Sequence, residues 1–334
     1  MTDHNFVSDQ FIELWPGKSR PEISILMPVY QNQRFIQSAV TSVLAQRGVI
    51  AEVIISDDAS SDETFNSAIQ AARKWFASHG SDHRLVMRKG SKRLWRDHLA
   101  LLVDHASCDI VCQAHGDDES HPDRARALVG VFRALPNAAL LTSEVIAMDE
   151  DGGSAVNEWL VNSDVSYARY DFESIINGHT YLIGAAQSWR RNLVDRFKRL
   201  DRDFAAVAHD RILPFRSSLV GDVYLVKAPL IKRRDYAGAA HKLMFDEPET
   251  NGRFGWSLVW MTHLDAMLRD LDQARSMALV TDGLYAQLAN TIRKLSQDCS
   301  ERLLESYRVQ TRSGRQIAWV DDATLVKLRK SRAN

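Results

Sequence analysis

Two pairs of adjacent aspartates carry the side chains best suited to chemistry in this chain. Asp57 and Asp58 follow one short apolar run, and the turn His115-Gly116-Asp117-Asp118 follows another. Adjacent carboxylates repel each other, so a pair of them at a strand end needs a positive partner. A divalent cation that carries a diphosphate meets this need, because hard oxygen ligands suit such ions. The turn at 115–118 is therefore predicted to be a metal and diphosphate site.

Both turns also have an ordinary structural interpretation, because Asp and Ser cap helices and negative charge suits a helix N-terminus. Ser60 with Glu63 three residues later has the capping-box pattern, and Ser120 or Asp118 could cap a helix that starts near position 122. If Ser60 supplies the cap of its helix, at least one aspartate of the first pair has no structural task. The second pair at the same kind of strand end favours a ligand site.

Alternating strands and helices are expected to position these turns. Short apolar runs typical of buried strands lie at 22–29, 52–56, 84–88 and 109–114. Segments with helical spacing of apolar residues lie at 34–46, 57–76, 94–105 and 122–135. This alternation predicts an α/β fold with a mostly parallel sheet flanked by helices. Ligands of such sheets bind beyond the carboxyl ends of the strands, so the loops after Met27, Ser56 and Ala114 should converge.

Composition narrows the class of partner. The chain has 334 residues and a formal net charge of -1, which argues against a protein that neutralises many phosphates of a nucleic acid. Its three cysteines do not suggest a disulfide scaffold, and Cys108 and Cys112 are expected to be buried core thiols. Residues 1–20 lack the apolar core of a signal peptide, and no run of about 20 apolar residues occurs. The expected location is cytoplasmic.

The last third of the chain is predicted to be a helical extension, from about 251 to 334. An apolar stripe formed by Leu264, Met267, Leu268 and Leu271 fits either helix packing or a homo-oligomer interface. The basic tail from Lys327 to Arg332 is either solvated or in peripheral contact with anionic lipid at a membrane surface.

Several motifs in order resemble the signature of family 2 glycosyltransferases, which are inverting enzymes with the GT-A fold. They are Pro28-Val29-Tyr30 after the first strand, Gln46 at the end of the first helix, the segment 57–62, and His115-Gly116-Asp117-Asp118. The resemblance covers 22 to about 150 and continues more weakly through Gly184, Trp189-Arg190-Arg191, His209-Asp210, 230–234 and His241. It implies a GT-A (Rossmann-like) α/β domain that binds a nucleoside-diphosphate sugar.

The resemblance also implies a role for each matching residue. Pro28, Val29 and Tyr30 would line the nucleotide. Asp57 would bind the base with Asp58 beside it, and Arg88 would help to hold the nucleotide. Asp117 would bind a divalent cation, Mn2+ or Mg2+, with Asp118 beside it and His115 as a further ligand. Asp210 would be the catalytic general base, and Arg233, Arg234 and His241 would hold acceptor or diphosphate.

The implied domains are an N-terminal extension (1–20), a nucleotide-sugar-binding half (21–150), an acceptor-side half (151–250) and the helical extension (251–334). The implied activity is transfer of one sugar, with inversion, to a glycan or lipid-linked acceptor, as in bacterial surface polysaccharide synthesis.

The sequence departs from the family pattern at two places. His115 stands where Asp is usual, and Gln31 stands where Asn is usual. The Gln-x-x-Arg-Trp motif of processive synthases is absent, since Gln187-Ser188-Trp189-Arg190 has a different order, and this favours addition of a single sugar.

Two rival interpretations have different weight. A catalytically silent sugar-nucleotide-binding or scaffolding protein is compatible with His115 and with the helical extension. A dinucleotide-dependent oxidoreductase is disfavoured, because no Gly-x-Gly-x-x-Gly follows the first strand.

Overall fold

The core of the protein is one mixed, mostly parallel sheet. The computed structural model describes residues 9–94, 97–154, 159, 165–178, 182–197, 209–237 and 249–312, with the backbone alone for 194–195, 249–259 and 306–312. Within them the strands are β1 (Ile12–Trp15), β2 (Ile23–Val29), β3 (Ala51–Asp57), β4 (Arg84–Lys89), β5 (Ile110–Gln113), β6 (Glu119–Ser120), β7 (Ala138–Met148), β8 (Tyr167–Arg169), β9 (Ser188–Arg190) and β10 (Asp222–Arg234).

The strand order is β1-β4-β3-β2-β5-β9-β7-β10-β6, and β8 pairs with β10. The block β4-β3-β2-β5 is parallel, whereas β9 runs antiparallel between β5 and β7. The chain moves outward from β2 to β4 and then crosses back to place β5 on the other side of β2. The strand order therefore reverses between β2 and β5, where α/β sheets bind their ligands.

Nine helices occur in the described part of the chain and cover both faces of the sheet. They are α1 (Ile36–Leu44), α2 (Thr64–His79), α3 (Asp97–His105), α4 (Arg124–Ala134), α5 (Phe172–Asn177), α6 (Asn192–Arg196), α7 (His209–Val220), α8 (Glu249–Ser276) and α9 (Asp282–Arg312). The mostly parallel sheet flanked by helices and the helical C-terminal extension confirm the predicted fold class.

The alternation of side chains along β2 divides the core into two parts. Ile23, Ile25 and Met27 pack on one face with the apolar residues of α1, α2 and α4. Leu26 points to the opposite face, where α3 and the helices from α5 onward supply the packing. Successive side chains of a strand lie on opposite faces, so a nearly continuous apolar run fits a strand that is buried on both sides.

The capping box predicted at Ser60 and Glu63 is wrong. Helix α2 begins only at Thr64, where Asp62 Oδ1 accepts a hydrogen bond from the backbone N–H at 3.0 Å. Ser60 Oγ instead accepts from the backbone N–H of Gln31 at 2.9 Å. A contact between two loops has thus replaced the local cap.

Gln46, which was predicted at the end of the first helix, lies one residue beyond the C-cap of α1 and is buried. Its side-chain amide donates to the His121 carbonyl and accepts from the Ala125 N–H. Cys108 and Cys112 are buried and free, as expected of core thiols.

The C-terminal extension is a hairpin of α8 and α9 that packs on α7. Leu264, Met267 and Leu271 are fully buried within the chain, so the apolar stripe serves helix packing; a homo-oligomer through these helices stays a prediction. Arg216 on α7 and Asp270 on α8 form a fully buried ion pair, with Nε to Oδ2 at 2.8 Å. Across the described residues, no helix combines the length and apolar character that a membrane crossing requires.

The predicted boundary near 150 does not divide the sheet. Strand β10, from the predicted acceptor-side half, pairs in parallel with β7 from the first half. The division into halves stays a prediction about function, whereas the structure joins both through one set of strands.

Candidate functional site

The turn after β5 brings three potential metal ligands together. One ligand atom from each of His115, Asp117 and Asp118 lies within 4.8 Å of the other two. Gly116 is required between them, because a Cβ at this position would lie 2.6 Å from Asn32 Oδ1 and 2.9 Å from Val29 Cγ1. The turn is thus pressed against the loop that follows β2.

Each side chain of the turn has a distinct environment. Asp118 is 6% exposed, and its Oδ1 accepts a hydrogen bond from the backbone N–H of Arg234 at 2.9 Å. Its Oδ2 lies 3.5 Å from His115 Nδ1. Tyr236 donates its hydroxyl to Asp117 Oδ2 at 3.1 Å. The three side chains therefore converge with one another and with the end of β10.

Burial and neighbouring charges shift the pKa values of the turn in the direction that a bound cation would reverse. Burial, together with the neighbouring charge of Asp118, raises the pKa of the Asp117 carboxyl. Burial alone would lower the pKa of the His115 imidazole, but Asp118 and Asp117 outweigh it and the pKa is raised. Two carboxylates and one imidazole suit a divalent cation, and the nitrogen ligand favours Mn2+ over Mg2+. The donor set therefore fits the implied metal.

Arg234 holds this turn from the side of β10. Its Nε donates to the Asp117 carbonyl at 3.0 Å, and its Nη1 donates to the carbonyls of Asp149 and Glu150. Its guanidinium also stacks over the Phe35 ring, 4.8 Å from the centroid. Arg234 is thus engaged with the protein itself, and its predicted role toward acceptor or diphosphate stays a prediction.

Asp57, at the end of β3, has one carboxylate oxygen available to a hydrogen-bond donor. It is fully buried, and its Oδ1 accepts from the backbone N–H of Ser60 at 2.6 Å. Its Oδ2 is also buried and has no hydrogen-bond partner among the described residues. Burial raises the pKa of this carboxyl. A buried acceptor without a donor is costly, so Oδ2 is a ready place for a ligand N–H.

The other residues predicted around the nucleotide fix the loops of the site. Asp58 is 3% exposed, and its Oδ1 accepts from the backbone N–H of Leu94 at 2.6 Å. Arg88 is equally buried, and it donates to Ser56 Oγ and to Asp9 Oδ1 at 3.1 and 2.7 Å. These contacts hold the loop after β4 and the N-terminal segment in place. Binding of nucleotide by Asp58 and Arg88 stays a prediction.

The loop after β2 lies beside this region. Val29 accepts a backbone hydrogen bond from Asp58 at 2.9 Å, whereas Pro28 and Tyr30 are partly exposed. The Arg93 guanidinium stacks on the Tyr30 ring, 3.6 Å from its centroid. Sequence reasoning missed Arg93, although a basic run that begins at the end of β4 with Lys89 and continues with Lys92 was the available signal.

Asp210 lies in the first turn of α7 and faces the same region. Its Oδ1 is buried without a hydrogen-bond partner among the described residues. Burial raises the pKa of its carboxyl, while the charges of Arg211, His115 and Arg233 act in the opposite sense. Both His115 and Arg233 are therefore near enough to act on this carboxyl. His241 lies outside the described residues.

Comparison with known proteins gives one family and two informative solved structures. The model of the family described as "Glycosyl transferase family 2" matches residues 24–193. The protein named "Putative glycosyltransferase EpsE" of Bacillus subtilis is 31% identical over 135 residues, which are 40% of this chain. The aligned part spans 46% of that relative's own length, less than two thirds of it.

The two structures share the fold at low sequence identity. The 1-349 fragment of S. aureus TarS in complex with UDP-GlcNAc has a TM-score of 0.50 at 14% identity, and the match covers 89% of this chain and 93% of that fragment. The mannosyltransferase PcManGT from Pyrobaculum calidifontis, in complex with GDP-Man and Mn2+, has a TM-score of 0.53 at 14% identity. The match covers 96% of this chain and 83% of the PcManGT chain.

Proposed function

Because this chain belongs to glycosyl transferase family 2, we propose that it transfers one sugar, with inversion, from a nucleoside-diphosphate sugar to an acceptor hydroxyl. The observation that carries the proposal is the meeting of three features at one edge of the sheet. These are the buried Asp57 carboxylate, the turn with His115, Asp117 and Asp118, and the buried Asp210 carboxylate.

On the donor side of the site, the nucleobase, the metal and the diphosphate are held by neighbouring loops. Asp57 Oδ2 accepts an N–H of the nucleobase. Asp117, Asp118 and His115 hold Mn2+ or Mg2+, which supplies Lewis-acid stabilisation of the departing diphosphate. Arg93 on Tyr30 adds positive charge on the same side. TarS with UDP-GlcNAc and PcManGT with GDP-Man and Mn2+ support this assignment by their shared fold.

The acceptor side requires a base on the face opposite the leaving group. Asp210 takes the proton of the acceptor hydroxyl while the oxygen attacks the anomeric carbon, and a single displacement inverts this centre. Burial raises the pKa of the Asp210 carboxyl, which increases its basicity toward a hydroxyl proton. The charge of Arg233 acts on both Asp210 and His115. Its guanidinium therefore provides positive charge between the donor side and the acceptor side of the site.

The proposed acceptor is a glycan or lipid-linked saccharide, as in bacterial surface polysaccharide synthesis. This step rests on analogy within the family. Addition of a single sugar is supported by the absence of the Gln-x-x-Arg-Trp motif from the sequence.

Release of nucleoside diphosphate from UDP-, GDP- and dTDP-sugars, with Mn2+ and a panel of saccharide acceptors, tests the proposal. Asp117→Ala is expected to slow release by about 10²-fold or more, since several kcal/mol of charge stabilisation are lost. Asp210→Asn is expected to bind donor normally but to lower transfer by about 10²- to 10⁴-fold. Asp298→Asn, an exposed carboxylate on α9, is the matched control and should behave as wild type.

The rival function is a sugar-nucleotide-binding or scaffolding protein without catalysis. Nucleotide-sugar binding with no turnover across the whole panel would favour it. Unchanged transfer by Asp210→Asn would remove Asp210 as the base while leaving the donor site intact.

A further inference from the structure

Arg124, the first residue of α4, is a buried cation beneath the acidic turn. It is 1% exposed, and no carboxylate of the described residues lies within ion-pair distance of its guanidinium. Its Nε is buried without a hydrogen-bond partner in the same part of the chain. Burying a charge without an ionic partner is costly. The positions of its hydrogen-bond acceptors indicate why a charged side chain is buried here.

The three acceptors of Arg124 belong to different parts of the site. Nη2 donates to the Gln113 carbonyl at 2.8 Å, and Nη1 donates to Ser120 Oγ at 3.0 Å. These two residues flank the turn 115–118 on either side. Nη2 also donates to the Ala185 carbonyl at 2.6 Å, in the 3₁₀ turn Gly184–Ala186. One guanidinium therefore joins both ends of the acidic turn to a segment more than 60 residues away.

Two glutamine side chains extend this connection to the proposed metal ligand and base. Gln113 Nε2 lies 3.0 Å from His115 Nε2, and the Gln113 backbone N–H donates to the Gln187 carbonyl at 3.0 Å. Gln187 is fully buried, and its Nε2 donates to the Asp210 carbonyl at 2.8 Å. A continuous set of hydrogen bonds thus runs from His115 to the backbone of Asp210.

We propose that Arg124 is a positioning residue that sets the acidic turn at a fixed separation from the segment carrying Asp210. The proposal rests on the function proposed for the turn and for Asp210. The planar fork of arginine is essential, because lysine is a point charge on a flexible stem and cannot hold three acceptors in this geometry.

Titration with Mn2+ alone, followed by electron paramagnetic resonance, separates positioning from charge. If Arg124 acted only through its charge, Arg124→Met would bind Mn2+ more tightly and Arg124→Lys would equal wild type. Positioning predicts at least about tenfold weaker Mn2+ binding in both variants, although Met removes a repelling charge. Arg126→Met and Arg126→Lys, on the same helix but 42% exposed and paired with Asp123, should leave Mn2+ binding unchanged.

Hydrogen exchange without metal gives an independent measurement. Peptides covering 110–121 and 182–190 are expected to exchange at least tenfold faster in both Arg124 variants, while peptides of α2 and α9 keep the wild-type rate. Unchanged exchange in either site peptide, or acceleration throughout the chain, overturns the proposal, as does wild-type Mn2+ affinity in Arg124→Lys. A wild-type protein that binds no Mn2+ refutes the proposed metal site instead, and exchange alone then decides on Arg124.

Discussion

Replacing Asp57 by Asn tests the nucleotide side of the site with a minimal change of shape. An asparagine keeps the Oδ1 that accepts from the Ser60 N–H, so the loop after β3 should keep its conformation. The change falls on Oδ2, the buried acceptor without a partner among the described residues. There an oxygen acceptor becomes an N–H donor.

The size of the effect follows from this geometry. A carboxylate oxygen at this position would accept one N–H from uracil, thymine or guanine, whose rings carry a hydrogen-bond donor. A hydrogen bond to a charged group is worth about 1.5–3 kcal/mol. Its loss weakens binding by roughly 10- to 150-fold. Cytosine and adenine lack such a ring N–H, but their exocyclic amino groups are donors as well, so the same substitution should weaken every nucleotide whose base donates to Oδ2 in the wild type.

Isothermal titration calorimetry with UDP, GDP, dTDP, CDP and ADP in excess Mn2+ measures this pattern. In the wild type, binding should weaken as the pH falls through the raised pKa of Asp57, because protonation removes the charged acceptor. Asp57→Asn should lack this pH dependence. Asp298→Asn controls for loss of a carboxylate elsewhere.

One outcome would refute the reasoning about Asp57. It is an Asp57→Asn protein whose affinity for every nucleotide stays within twofold of wild type. This result would place the base away from Oδ2.

Two further substitutions test the metal turn and the C-terminal hairpin. His115→Asp adds a third carboxylate and is expected to tighten metal binding and to shift preference from Mn2+ toward Mg2+; an unchanged Mg2+ to Mn2+ affinity ratio in competition titrations would contradict this. Arg216→Met leaves Asp270 as a buried unpaired carboxylate and should cost about 3–5 kcal/mol, or roughly 6 °C or more in melting temperature. Adding Asp270→Leu should recover most of this loss in differential scanning calorimetry, and a double variant no more stable than the single one would contradict the argument.

The sequence was informative wherever the signal is local. The apolar run of β2 predicts a strand buried on both faces, and the acidic turn follows β5 within a few residues. Since parallel strands end at one edge of a sheet, the convergence of Asp57 with the turn could be predicted from these runs alone. The order of the motifs added the family, which no single pair of aspartates could indicate.

Contacts between distant segments could not be predicted from the sequence. The Ser60 hydroxyl accepts a hydrogen bond from the loop after β2 rather than capping α2, because a backbone N–H donor 29 positions away competes with the local N–H groups of the helix. Arg124 has the position of an ordinary first-turn residue, and only the fold shows that it is buried against the carbonyl of Ala185. Periodicity carries no information about such partners.

The hydrogen bonds by which Arg234 holds the acidic turn have a consequence for how the protein folds. Its backbone N–H meets Asp118 across 116 positions of chain, and closing a loop of that length is among the slower steps available to a domain. We therefore expect the acidic turn to reach its final shape only after β10 has docked. The family-matched segment 24–193 lacks β10, so that segment alone does not contain the backbone N–H that holds Asp118.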